Sequence, residues 1–91
     1  MQIGTVWKSV FASWPAAIPR KGVAVNNLGE SLPFKAFMVG AEMVLLERSN
    51  PDTLGARYIL LPYDQVANVK FVDPLSTQVF ASMGLEGKLT T

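Results

Sequence analysis

The chain has 91 residues, of which 49% are hydrophobic and 16% are charged; eight basic and seven acidic residues give a net charge of +1. This length allows one domain with one core and excludes two. The near-neutral charge contrasts with the basic excess of most proteins that hold nucleic acid through its phosphates. Because small domains usually need about 25% charged residues, the shortfall predicts that other subunits cover part of the surface.

The chain lacks the patterns of membrane and secreted proteins. Its longest apolar runs, Met43–Leu46 and Tyr58–Pro62, have four and five residues, whereas a spanning helix needs about 18 or more. A signal peptide has a basic start followed by a continuous apolar stretch. The N-terminal stretch here has no basic start, and Lys8 interrupts its apolar residues. There is no cysteine for a disulfide framework. We therefore expect a cytoplasmic protein without membrane contact.

The first predicted element is a short helix. Its apolar residues recur at helical spacing and are Val6, Trp7, Val10, Phe11 and Trp14. Thr5 is the predicted N-cap, and Pro15 ends the helix because it disfavours helical geometry at Trp14. We expect Trp7 and Trp14 to be packing residues rather than platforms for nucleic-acid bases. Residues 15–20 then form a stiff connector.

Five short strands follow. The predicted ranges are Lys21–Val25, Leu32–Val39, Glu42–Arg48, Arg57–Leu61 and Gln65–Val72. Turn formers separate them, including the loop Ser49–Gly55 and the very short corner Pro62–Asp64. Consecutive short strands with tight turns predict a mainly β fold, a five-stranded antiparallel small barrel with an N-terminal helix. The inward positions are predicted to be Val23, Val25, Phe37, Leu45, Ile59, Val66 and Val69.

The third and fourth strands are apolar on both faces, which a half-buried antiparallel strand is not. Either the terminal helices cover the second face, or another subunit does. Because exposed strand edges pair readily with other chains, and repeated edge pairing around an axis closes into a ring, we expect a cyclic homo-oligomer. A monomeric adaptor barrel would leave the second apolar face unexplained.

A short C-terminal helix is predicted after the strands. Asp73 is the expected N-cap, Pro74 the first helical residue and Gly84 the stop. Its apolar stripe consists of Leu75, Val79, Phe80 and Met83. The chain is thus divided into a helix and connector at 1–20, a barrel at 21–72, and a helix and tail at 73–91, all within one domain.

The most specific pattern lies across the last two predicted strands. Residues 61–69 read Leu-Pro-Tyr-Asp-Gln-Val-Ala-Asn-Val. This spacing follows an Ile-Arg-Gly-Asp-Asn-Ile-x-x-Ile pattern, with Asp64 and Gln65 at the acidic and amide positions. Gly29 matches a first-turn glycine, and residues 40–44 lie where Asp-x-aromatic-Met-Asn is found. In these features the region 21–72 resembles the Sm/LSm family of ring-forming RNA-binding proteins.

The resemblance implies a single-stranded RNA pocket at this corner, with differences from the family. There, the Asp and Asn hold a base edge, the aromatic residue stacks on it, and the Arg-Gly corner lines the pocket. Only Met43 of these positions is retained, because Gly40, Glu42 and Val44 replace the turn residues and Pro62-Tyr63 replaces Arg-Gly. The residues that the resemblance assigns to RNA binding are Gly40, Glu42, Met43, Pro62, Tyr63 and Asp64.

Three of these residues have alternative roles. Tyr63 either stacks on a base, worth about 1–3 kcal/mol, or caps a turn with its hydroxyl while its ring packs on Pro62. Asp64 either orients Tyr63 or a ligand, or serves as a turn residue. Glu42 either repels phosphates near a central pore or is a solvated strand end. Fold resemblance alone does not carry the ligand with it.

The residue types argue against an enzyme. Without histidine or cysteine, the common zinc ligands and the usual proton shuttle are missing, and the seven acidic residues are scattered. We expect no catalytic site, metal or cofactor. The predicted function is an Sm-like homo-oligomeric ring that binds single-stranded RNA, and the alternative is a scaffold ring for protein interactions with no nucleic-acid role.

Overall fold

The computed structural model describes residues 3–90. The helix α1 spans Ile3–Ala12 and α2 spans Thr77–Ala81. Between them lie five strands, β1 to β5, with the bounds Gly22–Asn26, Ser31–Val39, Met43–Arg48, Tyr58–Pro62 and Val66–Lys70. A single 3₁₀ turn at Tyr63–Gln65 joins β4 to β5. Below, the corner means this turn together with Pro62, the last residue of β4. The predicted order of one helix, five strands and a short helix is confirmed.

The five strands form one antiparallel sheet in the order β4-β3-β2-β1-β5. The mainly β, antiparallel character is therefore confirmed. The sheet is open rather than closed, since β4 and β5 lie at its two edges. The helix α1 covers the inner face instead, where it inserts Phe11 into the core. The core is thus closed by a helix, and a closed barrel is not confirmed.

The core lies between α1 and the inner face of the sheet. Its buried members are Phe11, Ala24, Leu32, Phe34, Phe37, Val44, Leu46, Leu61, Tyr63 and Val66. The ring of Phe11 lies 5.1 Å from that of Phe37, edge to face, and 5.7 Å from that of Trp14, stacked. Trp7 and Trp14 pack against this core, as predicted from their helical spacing.

The predicted inward set is right for some strands and wrong for β3. Val25, Phe37 and Val66 are buried. Leu45 was assigned to the core, but the alternate residues Val44 and Leu46 are buried instead. In the register of the β2–β3 pair, Phe37 stands opposite Leu46 and Met38 stands opposite Leu45, so Leu46 shares the inner face with Phe37.

Both predicted helix starts are wrong. Thr5 lies inside α1, which includes Ile3, and so is not the N-cap. The second helix begins at Thr77 after an N-cap at Ser76, instead of at Pro74. Asp73 has a different role, because its carboxylate lies 3.4 Å from the Lys21 ammonium and ties the end of the sheet to the start of β1.

Side chains order the two longest turns. The Asn26 carboxamide oxygen accepts bonds from the backbone N–H groups of Leu28 and Glu30, each at 3.0 Å. In the β3–β4 loop, Asp52 accepts bonds from the N–H groups of Ala56 at 2.8 Å and Leu54 at 2.9 Å. These bonds lower the pKa of Asp52, because they stabilise its charged form. The loop at Asp52 is the turn that its sequence predicts.

Candidate functional site at the β4–β5 corner

The six residues assigned to RNA binding lie in two segments that the fold brings together. Gly40 and Glu42 belong to the β2–β3 turn, and Met43, the first residue of β3, pairs with Pro62 at the end of β4. The backbone N–H of Tyr63 donates to the Glu42 carbonyl at 3.2 Å. The corner and the β2–β3 turn therefore form one continuous surface.

Tyr63 is the buried member of this group, with 3% of its surface exposed. Its hydroxyl donates to the Gly40 carbonyl at 2.9 Å, and its ring centroid lies 6.4 Å from that of Phe11. Burial raises the pKa of the hydroxyl, because it disfavours the phenolate. The ring is a core residue whose hydroxyl fixes the β2–β3 turn, so it offers no free face to a base.

Gly40 is required by the tightness of its turn. A Cβ at this position would lie 2.9 Å from the Met43 carbonyl oxygen, a distance that a side chain cannot tolerate without a backbone shift. That carbonyl accepts the Gly40 N–H at 2.9 Å. Local backbone geometry therefore accounts for the glycine at position 40.

Two further segments hold the corner in place. The Asn27 carboxamide donates to the Asp64 carbonyl, and the Asn27 N–H donates to the Gln65 carbonyl, both at 3.0 Å. The helix α1 also approaches closely, since a Cβ on Gly4 would lie 3.5 Å from the Asp64 nitrogen. Sequence analysis missed the roles of Asn27 and Gly4, because a long-range bond from a turn asparagine leaves no local pattern.

The solvent-facing chemistry of the corner is acidic. The side chains of Glu42 and Asp64 are exposed. Two basic residues that precede β1, Arg20 and Lys21, are engaged elsewhere. The guanidinium of Arg20 lies 3.8 Å from the Phe37 ring centroid and donates to the Phe37 carbonyl at 3.0 Å, while Lys21 pairs with Asp73. Arg20 and Lys21 therefore do not offset the negative charge of Glu42 and Asp64.

A second surface lies on the outer face of β2, β3 and β4, opposite the core. Cross-strand pairing aligns Met38, Leu45 and Leu60 in one row. Met38 is 70% exposed, Leu60 is 64% exposed and Tyr58 is 60% exposed. We call the outer patch the set Met38, Met43, Leu45, Tyr58 and Leu60.

At both edges of the sheet, one residue that packs against the core is only partly buried. Ile59 on β4 and Val69 on β5 both pack against the inner-face cluster but stay only partly buried. Ile59 is the second residue of β4 and Val69 is the last but one of β5, and these two strands border the sheet on opposite sides. The apolar core thus reaches solvent at both edges.

Comparison with known proteins adds no relative. No protein-family model matches the chain, and the searches of curated proteins and of solved structures found no match. Within residues 3–90, the acidic side chains form no group of three or more that could hold a metal ion. Neither described helix is long and apolar enough to span a membrane.

Proposed function

We propose that the chain is the subunit of an Sm-like homo-oligomeric ring, in which β4 of one subunit pairs antiparallel with β5 of the next. The observation that carries the proposal is the position of Ile59 and Val69. Each is a partly exposed core residue on one edge strand. Antiparallel pairing with Ile59 beside Val69 would join the two cores across the subunit boundary.

The physical gain from this pairing has two parts. Edge strands present N–H and C=O groups that another strand can satisfy. Complete burial of a branched aliphatic side chain is worth about 1.5–3 kcal/mol, so completing the burial of Ile59 and Val69 adds on the order of 2 kcal/mol per interface. The low charge of 16% and the exposed outer patch also support assembly.

Assembly is tested with a matched pair of substitutions. Ile59→Asp places a carboxylate at the proposed edge, whereas Leu54→Asp makes the same change at a loop residue that is 94% exposed. Size-exclusion chromatography with light scattering should give a ring for the wild type and Leu54→Asp, and smaller species for Ile59→Asp. Retention of the ring by Ile59→Asp would contradict the proposed interface. Circular dichroism checks that each variant is folded.

We propose single-stranded RNA as the ligand of the ring. The support is the resemblance to Sm/LSm proteins together with the adjacency of the β2–β3 turn and the corner. With Tyr63 buried, contacts would come from the exposed residues Pro62, Asp64 and Met43 and from the turn backbone. Affinity should depend only moderately on salt, because few phosphates would be neutralised.

A scaffold ring without a nucleic-acid role is the second candidate. It is favoured by the exposed carboxylates of Glu42 and Asp64, which repel phosphates. Fluorescence anisotropy with U-rich and A-rich RNA oligomers at two salt concentrations separates the candidates. Binding that Glu42→Gln strengthens at low salt supports RNA. Absence of binding by either oligomer at low salt would leave the scaffold role.

A further inference from the structure

The three arginines of the chain have different surroundings. Arg20 lies over the Phe37 ring and donates a hydrogen bond to the Phe37 carbonyl. Within residues 3–90, Arg48 makes one side-chain hydrogen bond, from its Nε to the Asn50 carbonyl at 3.0 Å. Arg57 is exposed, and in the same part of the chain its guanidinium has no hydrogen-bond or ion-pair partner. Arg48 and Arg57 therefore keep N–H donors that the fold does not use.

The sheet sets these two arginines directly opposite each other. In the pairing of β3 with β4, Glu47 stands opposite Tyr58. The register continues by one residue, because the Arg48 N–H donates to the Arg57 carbonyl at 2.8 Å. Residues directly opposite in an antiparallel pair share one face, with Cβ atoms about 4.5–5.5 Å apart, and like charges in this arrangement repel. The fold thus holds two positive charges side by side at an energetic cost.

The carboxylates of the described residues neutralise this charge only in part. Between residues 3 and 90, Lys21–Asp73 is the one ion pair. The pKa of Asp52 is lowered first by hydrogen bonds from backbone N–H groups of its own loop and, to a smaller degree, by the charge of Arg48. Asp52 therefore offsets part of the charge of Arg48 and leaves Arg57 without a carboxylate partner in this part of the chain.

The arginine pair lies far from the candidate site at the corner. Met43 is the first residue of β3 and Arg48 is the last, so the rise along a strand separates the two by about 17 Å. The corner exposes the carboxylates of Glu42 and Asp64. The two ends of the β3–β4 pair therefore have opposite charge, and an anion that the corner repels is attracted to the other end.

We propose that Arg48 and Arg57 form a binding site for a phosphate monoester, a role that requires neither the ring nor the RNA site at the corner. At neutral pH a phosphate monoester carries about −1.5 to −2 charges and three acceptor oxygens. Its charge and oxygens match two guanidinium groups. A carboxylate carries a single charge, and one planar arginine fork occupies both of its oxygens. A bound monoester turns the repulsion between the two arginines into two charge-assisted contacts.

Nuclear magnetic resonance of the arginine side chains tests the site directly. In ¹⁵N-labelled protein titrated with methyl phosphate at neutral pH, the Nε–H signals of Arg48 and Arg57 should shift saturably, while that of Arg20 should not. Dimethyl phosphate and acetate, both monoanions, should bind at least about tenfold more weakly at matched ionic strength. Equal affinities for the three anions, or no saturable shift, would overturn the site.

A matched pair of substitutions separates the site from general attraction of anions. Arg57→Gln should weaken binding of methyl phosphate at least about tenfold, whereas Lys88→Gln, which removes the same charge from an exposed residue, should leave it unchanged. Because Arg57→Gln relieves the repulsion from Arg48, the thermal unfolding temperature without ligand should not fall. Wild-type affinity for methyl phosphate in Arg57→Gln would contradict the proposal.

The source of the monoester is either a small phosphorylated molecule or the terminal phosphate of an RNA. Fluorescence anisotropy with one RNA oligomer, carrying either a 5′-phosphate or a 5′-hydroxyl, distinguishes them. Tighter binding of the phosphorylated oligomer, lost in Arg57→Gln, assigns the site to RNA ends. Binding of methyl phosphate without binding of either oligomer assigns it to small molecules, and removes the RNA proposal while this site stands. If methyl phosphate and the phosphorylated oligomer both fail to bind, the site does not exist.

Discussion

The two faces of strands β3 and β4 have nearly the same composition and opposite surroundings. Val44, Leu46 and Leu61 on the inner face are 0 to 6% exposed, whereas Leu60 on the outer face is 64% exposed. Leu60 and Leu61 are adjacent in sequence and differ only in the direction of their side chains. Apolar character alone therefore does not distinguish a folding core from a surface that we assign to assembly.

The largest contrast is expected between core and patch leucines. Leu46→Ala removes a side chain that is 0% exposed, and should lower the free energy of unfolding by about 2–5 kcal/mol. Urea denaturation of dissociated subunits measures this. A loss below about 0.5 kcal/mol would mean that β3 has the opposite face inward.

Tyr63→Phe tests the hydrogen bond between the inner face and the β2–β3 turn. The variant keeps the ring in the core but removes the donor to Gly40, so unfolding should become easier by about 1 kcal/mol. The same denaturation experiment measures the loss. If Tyr63→Phe leaves the free energy of unfolding unchanged, the hydroxyl does not fix this turn.

Leu60→Ala is the outer-face counterpart of Leu46→Ala. Because Leu60 is largely exposed, the free energy of unfolding of the subunit should change by less than about 0.5 kcal/mol. The ring of the variant should be weaker and should dissociate at a higher protein concentration than the wild-type ring. Equilibrium sedimentation over a dilution series measures the second effect. If Leu60→Ala destabilises the subunit as much as Leu46→Ala does, the outer patch belongs to the fold.

The smallest effect is expected at Asp52, outside both faces. Its pKa is lowered by backbone N–H donors from Ala56 and Leu54, so its charged form stabilises the folded loop. That stability is present above the unfolded pKa, which is near 3.8, and is lost as the pH falls through the lower folded value. Asp52→Asn should reduce the slope of stability against pH below about 4. An unchanged slope would contradict the role of these bonds.

Much of the architecture is predictable from local pattern. The helical spacing of Trp7 and Phe11, the turn formers around Asp52 and the very short corner all indicate the elements that the structure contains. The face of β3 was not predictable, because Val44, Leu45 and Leu46 are all apolar. The register between β2 and β3, which sets Leu46 opposite the buried Phe37, decides between them.

The candidate site, like the fold, could be predicted from the sequence only in part. The resemblance predicts a site at the β2–β3 turn and the corner, and the fold places these two segments side by side. The burial of Tyr63 was not predictable, since it depends on α1 placing Phe11 beside the tyrosine ring and on the carbonyl of Gly40. The side-chain bond from Asn27 to the Asp64 carbonyl likewise joins positions 37 residues apart.

The central claim is that the edge strand β4 of one subunit pairs with the edge strand β5 of the next subunit. Native mass spectrometry of the unmodified chain at micromolar concentration tests it most directly. We predict one dominant species whose mass is a fixed whole-number multiple, greater than two, of the 9.9 kDa subunit. A monomer of 9.9 kDa as the dominant species under these conditions would contradict the claim.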